Sequence, residues 1–177
     1  MKNTVKFFSV MLLCFTLFSC KSDDSNSDDK QKSELKVKLV GSWLLKTEDG
    51  LGKTGSQPVE TKDLKVGPNC EYDQLDFLPS NSINFLSHYI VKDNPDCQSR
   101  VVPDAYRYGV LDYRRIVLSN GESRNEFFVD KLDENEMILD RMLTNDEVIA
   151  RWKADPDYQE ERDPKVYRIK VHYQRVE

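Results

Sequence analysis

The stretch Tyr72–Val91, YDQLDFLPSNSINFLSHYIV, decides the fold. Leu75 and Phe77 occupy alternate positions before Pro79-Ser80-Asn81-Ser82, and Ile83, Phe85, Tyr89 and Val91 share one phase after it. A period of two puts such side chains on one face of an extended chain, and the proline-serine-asparagine cluster supplies the turn. The stretch therefore predicts two strands, Tyr72–Leu78 and Ile83–Val91, joined as a hairpin.

The same periodicity extends in both directions. It predicts strands at Ser42–Thr47, Tyr106–Asp112, Arg114–Leu118, Arg124–Leu132, Met137–Leu143 and Lys165–Val176, the last carrying Tyr167, Ile169, Val171 and Tyr173 at odd positions. Asn120-Gly121 and Asp133-Glu134-Asn135 read as turns. Leu35–Val40 reads as a short helix or 3₁₀ turn, with Leu35 and Leu39 on one side. No amphipathic helices alternate with the strands, which disfavours a parallel α/β sheet. The expected fold is all-β: an antiparallel up-and-down eight-stranded barrel, whose closure removes exposed edges. A two-sheet sandwich is the competing arrangement. Asp49–Asn69 and Asn145–Pro164 remain irregular on this reading, and Arg151-Trp152-Lys153 in the second suits a helical turn.

The N-terminus carries a different signal. Lys2 and Lys6 precede the apolar run Phe7–Phe18, which is shorter than the roughly 20 residues that span a bilayer as a helix. Residues 1–19 thus read as a secretory signal peptide. Leu17-Phe18-Ser19-Cys20 resembles a bacterial lipobox, with an aliphatic residue three before the cysteine and a small one beside it. Cys20 is the expected lipidation site. Its acyl chains would anchor the protein at about 0.8 kcal/mol per buried methylene. Residues 20–34, including the wholly polar run KSDDSNSDDKQK at 21–32, read as a solvated acidic tether, and 35–177 as the barrel domain. Ser22-Asp23-Asp24 resembles the acidic export signal of some Gram-negative lipoproteins. The expected location is therefore the outer membrane, facing the exterior, or otherwise the periplasm.

The 177 residues carry a formal net charge of -5. Loss of Lys2 and Lys6 leaves 24 of the 26 basic residues against 31 acidic ones. Such a surface repels phosphate backbones, which argues against nucleic-acid binding. Once Cys14 leaves with the leader and Cys20 is lipidated, Cys70 and Cys97 remain as an even pair. In an exported protein that pair favours a disulfide over a metal site or a reactive thiol; two buried thiols are the alternative.

Leu39-Val40-Gly41-Ser42-Trp43 resembles the Gly-x-Trp opening of lipocalin-like domains. Together with the lipobox, the acidic tether and Cys70 and Cys97 flanking a hairpin, it is similar to lipocalin-like lipoproteins of Gram-negative bacteria over residues 35–177. The resemblance implies that Trp43 closes one end of the barrel and that an arginine of the last strand packs over it. Arg175 is the candidate, because it shares the phase of Tyr173 and ends a strand lying beside the start of the first.

No catalytic constellation stands out. His88 and His172 sit on polar phases and read as surface residues, and no His/Cys/Asp spacing builds a metal site. Acid pairs such as Glu160/Glu161 lie in loops. Gly50–Gly55 lacks the spacing of a phosphate loop, and no Gly-x-Ser-x-Gly elbow occurs. A non-enzymatic protein without a cofactor is expected. Phe77, Phe85, Tyr89, Tyr108, Phe127, Tyr167 and Tyr173, with Tyr106 nearby, either fill the barrel or line a pocket for a small apolar or amphipathic ligand. The alternative is an interaction module that engages a surface protein through its loops, with Trp152 as a contact, a lid, or a ring tucked under its own loop.

Overall fold

A computed structural model describes residues 24–92, 94–156, 158–160 and 162–176, with the backbone alone at 24–26, 94 and 95. The signal peptide, Cys20, Ser22 and Asp23 lie outside the described residues. The elements run α1 (Asp24–Leu39), β1 (Gly41–Leu51), β2 (Pro58–Asp63), β3 (Gln74–Phe77), β4 (Ser82–Val91), β5 (Asn94–Val110), β6 (Arg115–Ser119), β7 (Arg124–Leu132), β8 (Glu136–Met142), α2 (Asn145–Lys153) and β9 (Arg168–Arg175).

Every strand pairing is antiparallel. The order β1-β3-β4-β5-β6-β7-β8-β9 returns to β1 and closes an eight-stranded barrel, leaving β2 outside it. Two partners share one edge of β1: Gly41–Leu44 pair with β3, and Thr47–Leu51 pair with β2. The opposite edge of β1 pairs with β9, from Trp43↔Arg175 to Leu51↔Arg168.

Alternation explains the inner face. Ile116 and Leu118 of β6, Met137 and Leu139 of β8, and Ile169, Val171 and Tyr173 of β9 are all buried, while the residues between them are more exposed. They join Trp43, Leu75, Phe77, Ile83, Tyr108 and Phe127 in one core. Bulges interrupt the rhythm. In β1 the register steps from Leu45↔Tyr173 to Thr47↔His172, so Lys46 has no opposite number. Between β4 and β5 it jumps from Ile83↔Tyr106 to Phe85↔Val102; the turned-out Asp104 has φ 49° and donates its N–H to Asn84 Oδ1 at 3.0 Å.

Several elements depart from expectation. α1 starts at Asp24 rather than Leu35, so much of the anticipated tether is helical. Its last turns are anchored by buried Leu35 and Leu39. Once that end is nucleated, each further polar residue joins at little cost, and Lys36 and Lys38 suit the negative C-terminal end. β2 lies within the stretch read as irregular, and β5 begins at Asn94 rather than Tyr106. β4 and β5 consequently outrun β3, whose last partner on β4 is Leu86. Segment 64–73 fills the space beside them. Asp73 accepts the His88 N–H at 2.6 Å through its side chain and the Leu45 N–H at 2.8 Å through its carbonyl. The Cys70–Cys97 disulfide, with Cα atoms 5.2 Å apart, ties this segment to the long hairpin.

Candidate functional site

The two ends of the barrel differ. At the start of β1, Trp43 is wholly buried and donates its indole N–H to Leu39 O at 2.9 Å. The Arg175 guanidinium lies 4.3 Å from the centre of the Trp43 ring and donates to Lys38 O at 2.7 Å and Val40 O at 3.2 Å. Indole and guanidinium thus satisfy the open carbonyls at the end of α1 and seal this end. Gly41 makes the closure possible: its φ is 137°, and a Cβ there would stand 2.7 Å from Arg175 Nη1.

The other end is polar. Residues facing one another across paired strands project to the same side, and Tyr173, Val171 and Ile169 point inward. Their β1 partners are Leu45, Glu48 and Gly50, and their β8 partners are Met137, Leu139 and Arg141. The barrel therefore ascends from an apolar layer at Tyr173 to Glu48 and then to Arg141 at the mouth. The extra residue Lys46 causes this: without the bulge, Glu48 would face outward. Gly50 leaves room for β2 to contribute, since a Cβ there would lie 2.7 Å from Glu60 Cγ.

Helix α2 covers the mouth. Thr144 caps it, exchanging hydrogen bonds with Glu147. Val148 is its buried residue and lines a cavity with Glu60 and Val166. Arg151 donates from Nη1 to Glu48 at 2.7 Å and from Nε and Nη2 to Glu60 at 2.9 and 2.5 Å. Glu147 accepts both Arg141 amino groups at 2.8 and 2.7 Å. Arg141 also lies 5.8 Å from the Phe127 ring centre. Charged side chains thus hold the helix down. Burial works against the Arg151 charge, but its two carboxylates hold the pKa above its ordinary value. Burial likewise opposes the Glu60 charge, and Arg151 outweighs it to lower the pKa. The Arg141 hydrogen bonds draw Glu147 down to about 2.

Beneath this cover, Tyr173 is 5% exposed. Burial pushes its pKa up, assisted by the nearby Glu48 and Tyr106 and opposed by Arg141. Its hydroxyl bonds no other described residue but is not sealed off: the side-chain atoms fully buried without a partner, among the described residues, are His88 Nδ1, Arg168 Nε and Arg175 Nε. Tyr108, by contrast, donates its hydroxyl to Leu78 O at 2.9 Å. A cavity of about 140 Å³ adjoins Arg151, walled by Glu60, Val148, Trp152 and Val166.

Of the rings expected inside, Phe77, Phe85, Tyr108, Phe127 and Tyr173 lie in or against the core, with Tyr106 edge-on to Phe85. Tyr89 and Tyr167 correct the expectation. Tyr89 is 40% exposed, because β4 has left the barrel wall by that point. Tyr167 stands at the rim before β9, half-buried, with Lys53 Nζ 5.9 Å from its ring centre. Trp152 packs edge-on against Tyr158, 5.0 Å between centres, so it tucks against its own loop. The histidines are less exposed than expected. His88 Nδ1 sits 3.4 Å from Asp73, and His172 Nε2 sits 2.9 Å from Asp49.

Sequence reading missed Glu48, Glu60, Arg151 and Glu147. Arg141 was missed too, although it continues the phase of Met137 and Leu139. Comparison with family models, curated proteins and solved structures returns no match to this chain.

Proposed function

We propose that this chain is a lipocalin-like lipoprotein, exported and anchored through acylated Cys20, that holds a small amphipathic ligand at the α2-covered mouth of its barrel. The observation that carries the reading is the gradation of the barrel interior from the apolar Tyr173 layer to Glu48 and then Arg141, both engaged by side chains of α2. A ligand that fills the mouth meets the Tyr173 hydroxyl with a polar atom, and the rings of Tyr106 and Phe127 accept its apolar part. Helix α2 suits a cover that opens, since long ion-paired side chains secure much of it.

The protein is read as a binder rather than an enzyme. Arg151 and Arg141 hold Glu60 and Glu147 in the charged form, the opposite of the raised pKa that acid–base work at neutral pH requires. The leader, the lipobox and Ser22-Asp23-Asp24 support display on the outer membrane, facing out.

The test is native mass spectrometry of the full chain extracted from a Gram-negative host. A diacyl or triacyl mass increment, lost in Cys20→Ala, is expected, together with a copurified small molecule released by denaturation. A clean apo mass under gentle extraction would count against ligand binding. A second reading, a module that docks on a surface protein, draws on the β4–β5 hairpin, where Tyr89, Ile90, Val91 and Val101 are exposed. Loss of a partner after Ile90→Asp, with no copurified molecule, would favour it.

A further inference from the structure

We infer that the open edge of β5 pairs with the same edge of a second copy of this chain, in an antiparallel seam centred on Gln98. Among the described residues, β4 flanks β5 from Asn94 to Arg107, whereas β6 flanks it only at Arg107–Val110. The other edge of residues 96–102 therefore has no strand beside it. Two hydrogen bonds fix its backbone phase. Tyr108 donates its N–H to Asn81 O and Asp104 to Asn84 Oδ1, so even-numbered residues of β5 turn their backbone groups toward β4. The register step from Tyr106 to Val102 preserves that parity. Cys97, Ser99 and Val101 consequently turn theirs to the open edge. Pro95 and Pro103 fall on the same phase, where a missing N–H costs the β4 ladder nothing, and they bound the open stretch at both ends.

Charge complementarity names the occupant. Exposed Asp96 and Arg100 flank Gln98 symmetrically. A two-fold axis through Gln98 joins Cys97 to Ser99 of the second copy by backbone hydrogen bonds and sets Asp96 opposite Arg100 twice. Those two pairs fall at non-hydrogen-bonded positions, where opposed side chains stand closest. An axis through Ser99 would set Asp96 against Val102 and lose both pairs. Asp96 also interacts within its own chain, and a carboxylate has lone pairs for both. Val101, 61% exposed, gives up apolar surface to the seam. The Cys70–Cys97 disulfide and the bond from His88 N–H to Asp73 brace the hairpin before it pairs. Antiparallel pairing sends the barrels to opposite ends of the seam. Asn94 of the second copy then stands opposite Val102, short of Arg107, where β6 takes over the edge. Because one edge serves both copies, the pair is closed and does not grow into a fibre.

The experiment is sedimentation equilibrium of the full chain in density-matched detergent, from micromolar to near-millimolar concentration. The wild type should dimerise. Asp96→Arg and Arg100→Asp each make both contacts repulsive, and each should raise the dissociation constant about tenfold or more. An equimolar mixture of the two variants should recover a dimer, since each supplies the charge the other lacks. Amide exchange of the wild type gives a readout that does not depend on how the variants fold. Cys97, Ser99 and Val101 should exchange more slowly as concentration rises, while Gln98 and Arg100, turned toward β4, should not change. A wild type that stays monomeric throughout, variants that dimerise as well as the wild type, or exchange at those three amides that ignores concentration would overturn the inference. Protection of the same amides by a copurified foreign protein, with no dimer, would overturn it in favour of a foreign strand on this edge.

Discussion

Arg175 and Trp43 meet across the β1–β9 seam, with the guanidinium 4.3 Å from the indole centre while both side chains hydrogen-bond the final carbonyls of α1. One contact therefore does three things. It shuts the barrel, pins the helix and pairs carbonyls left open at the helix end. Closing that end makes the opposite end the only direction in which the interior grades from apolar to charged.

Replacing Arg175 by alanine should lower stability by about 2–3 kcal/mol, combining a buried cation–π contact with lost hydrogen bonds to backbone oxygens. Lysine should restore less than half, because it lacks the fork that spans Lys38 O and Val40 O. Urea denaturation followed by Trp43 emission measures both. An alanine variant as stable as the wild type would show that the seal lies elsewhere.

Removing the disulfide by Cys70→Ala/Cys97→Ala should cost about 3–4 kcal/mol, the chain-entropy value for a separation of 27 residues. Hydrogen exchange should rise most in 64–73 and the outer half of the β4–β5 hairpin, with β6–β9 less affected. Uniform loss of protection would contradict a local brace.

Glu147 predicts how acid releases α2. Its folded pKa of about 2 lies below the ordinary 4.5, so its contribution is fully present above pH 4.5 and fades as the pH falls toward 2. Hydrogen exchange of α2 should accelerate across that window. Glu147→Gln should show faster exchange at neutral pH and a flatter response to acid. Identical profiles would remove the Arg141–Glu147 pair as a fastening.

Tyr173→Phe separates stability from function. Deleting a hydroxyl that bonds no other described residue should leave the unliganded protein within about 1 kcal/mol of its original stability. Affinity for the mouth ligand should fall about fivefold or more, the value of one hydrogen bond. A destabilised variant with unchanged affinity would mean that the hydroxyl serves the fold instead.

Much of the barrel was legible because burial imposes a period of two on β6, β8 and β9, and Arg124–Leu132 occupies the bounds its pattern indicated. β2 was hidden: PVETKD is nearly all exposed and forms because β1 offers a free edge beyond the end of β3. The first half of β5 was masked by Pro95 and Pro103 together with its charged residues. The site was the least legible part. A single unpaired residue, Lys46, turns Glu48 inward, and Arg151 finds Glu60 across 91 positions of sequence. Alternation carries no record of a bulge, and local pattern carries none of an ion pair that distant.

Binding inside the mouth is tested most directly by isotope-filtered nuclear Overhauser spectroscopy of the full chain with its copurified ligand. Contacts to the rings of Tyr106, Phe127 and Tyr173 are expected, with altered amide shifts through α2. Contacts confined to exposed Tyr89 and Ile90, or to Phe128 and Met142 on the outer wall, would contradict it.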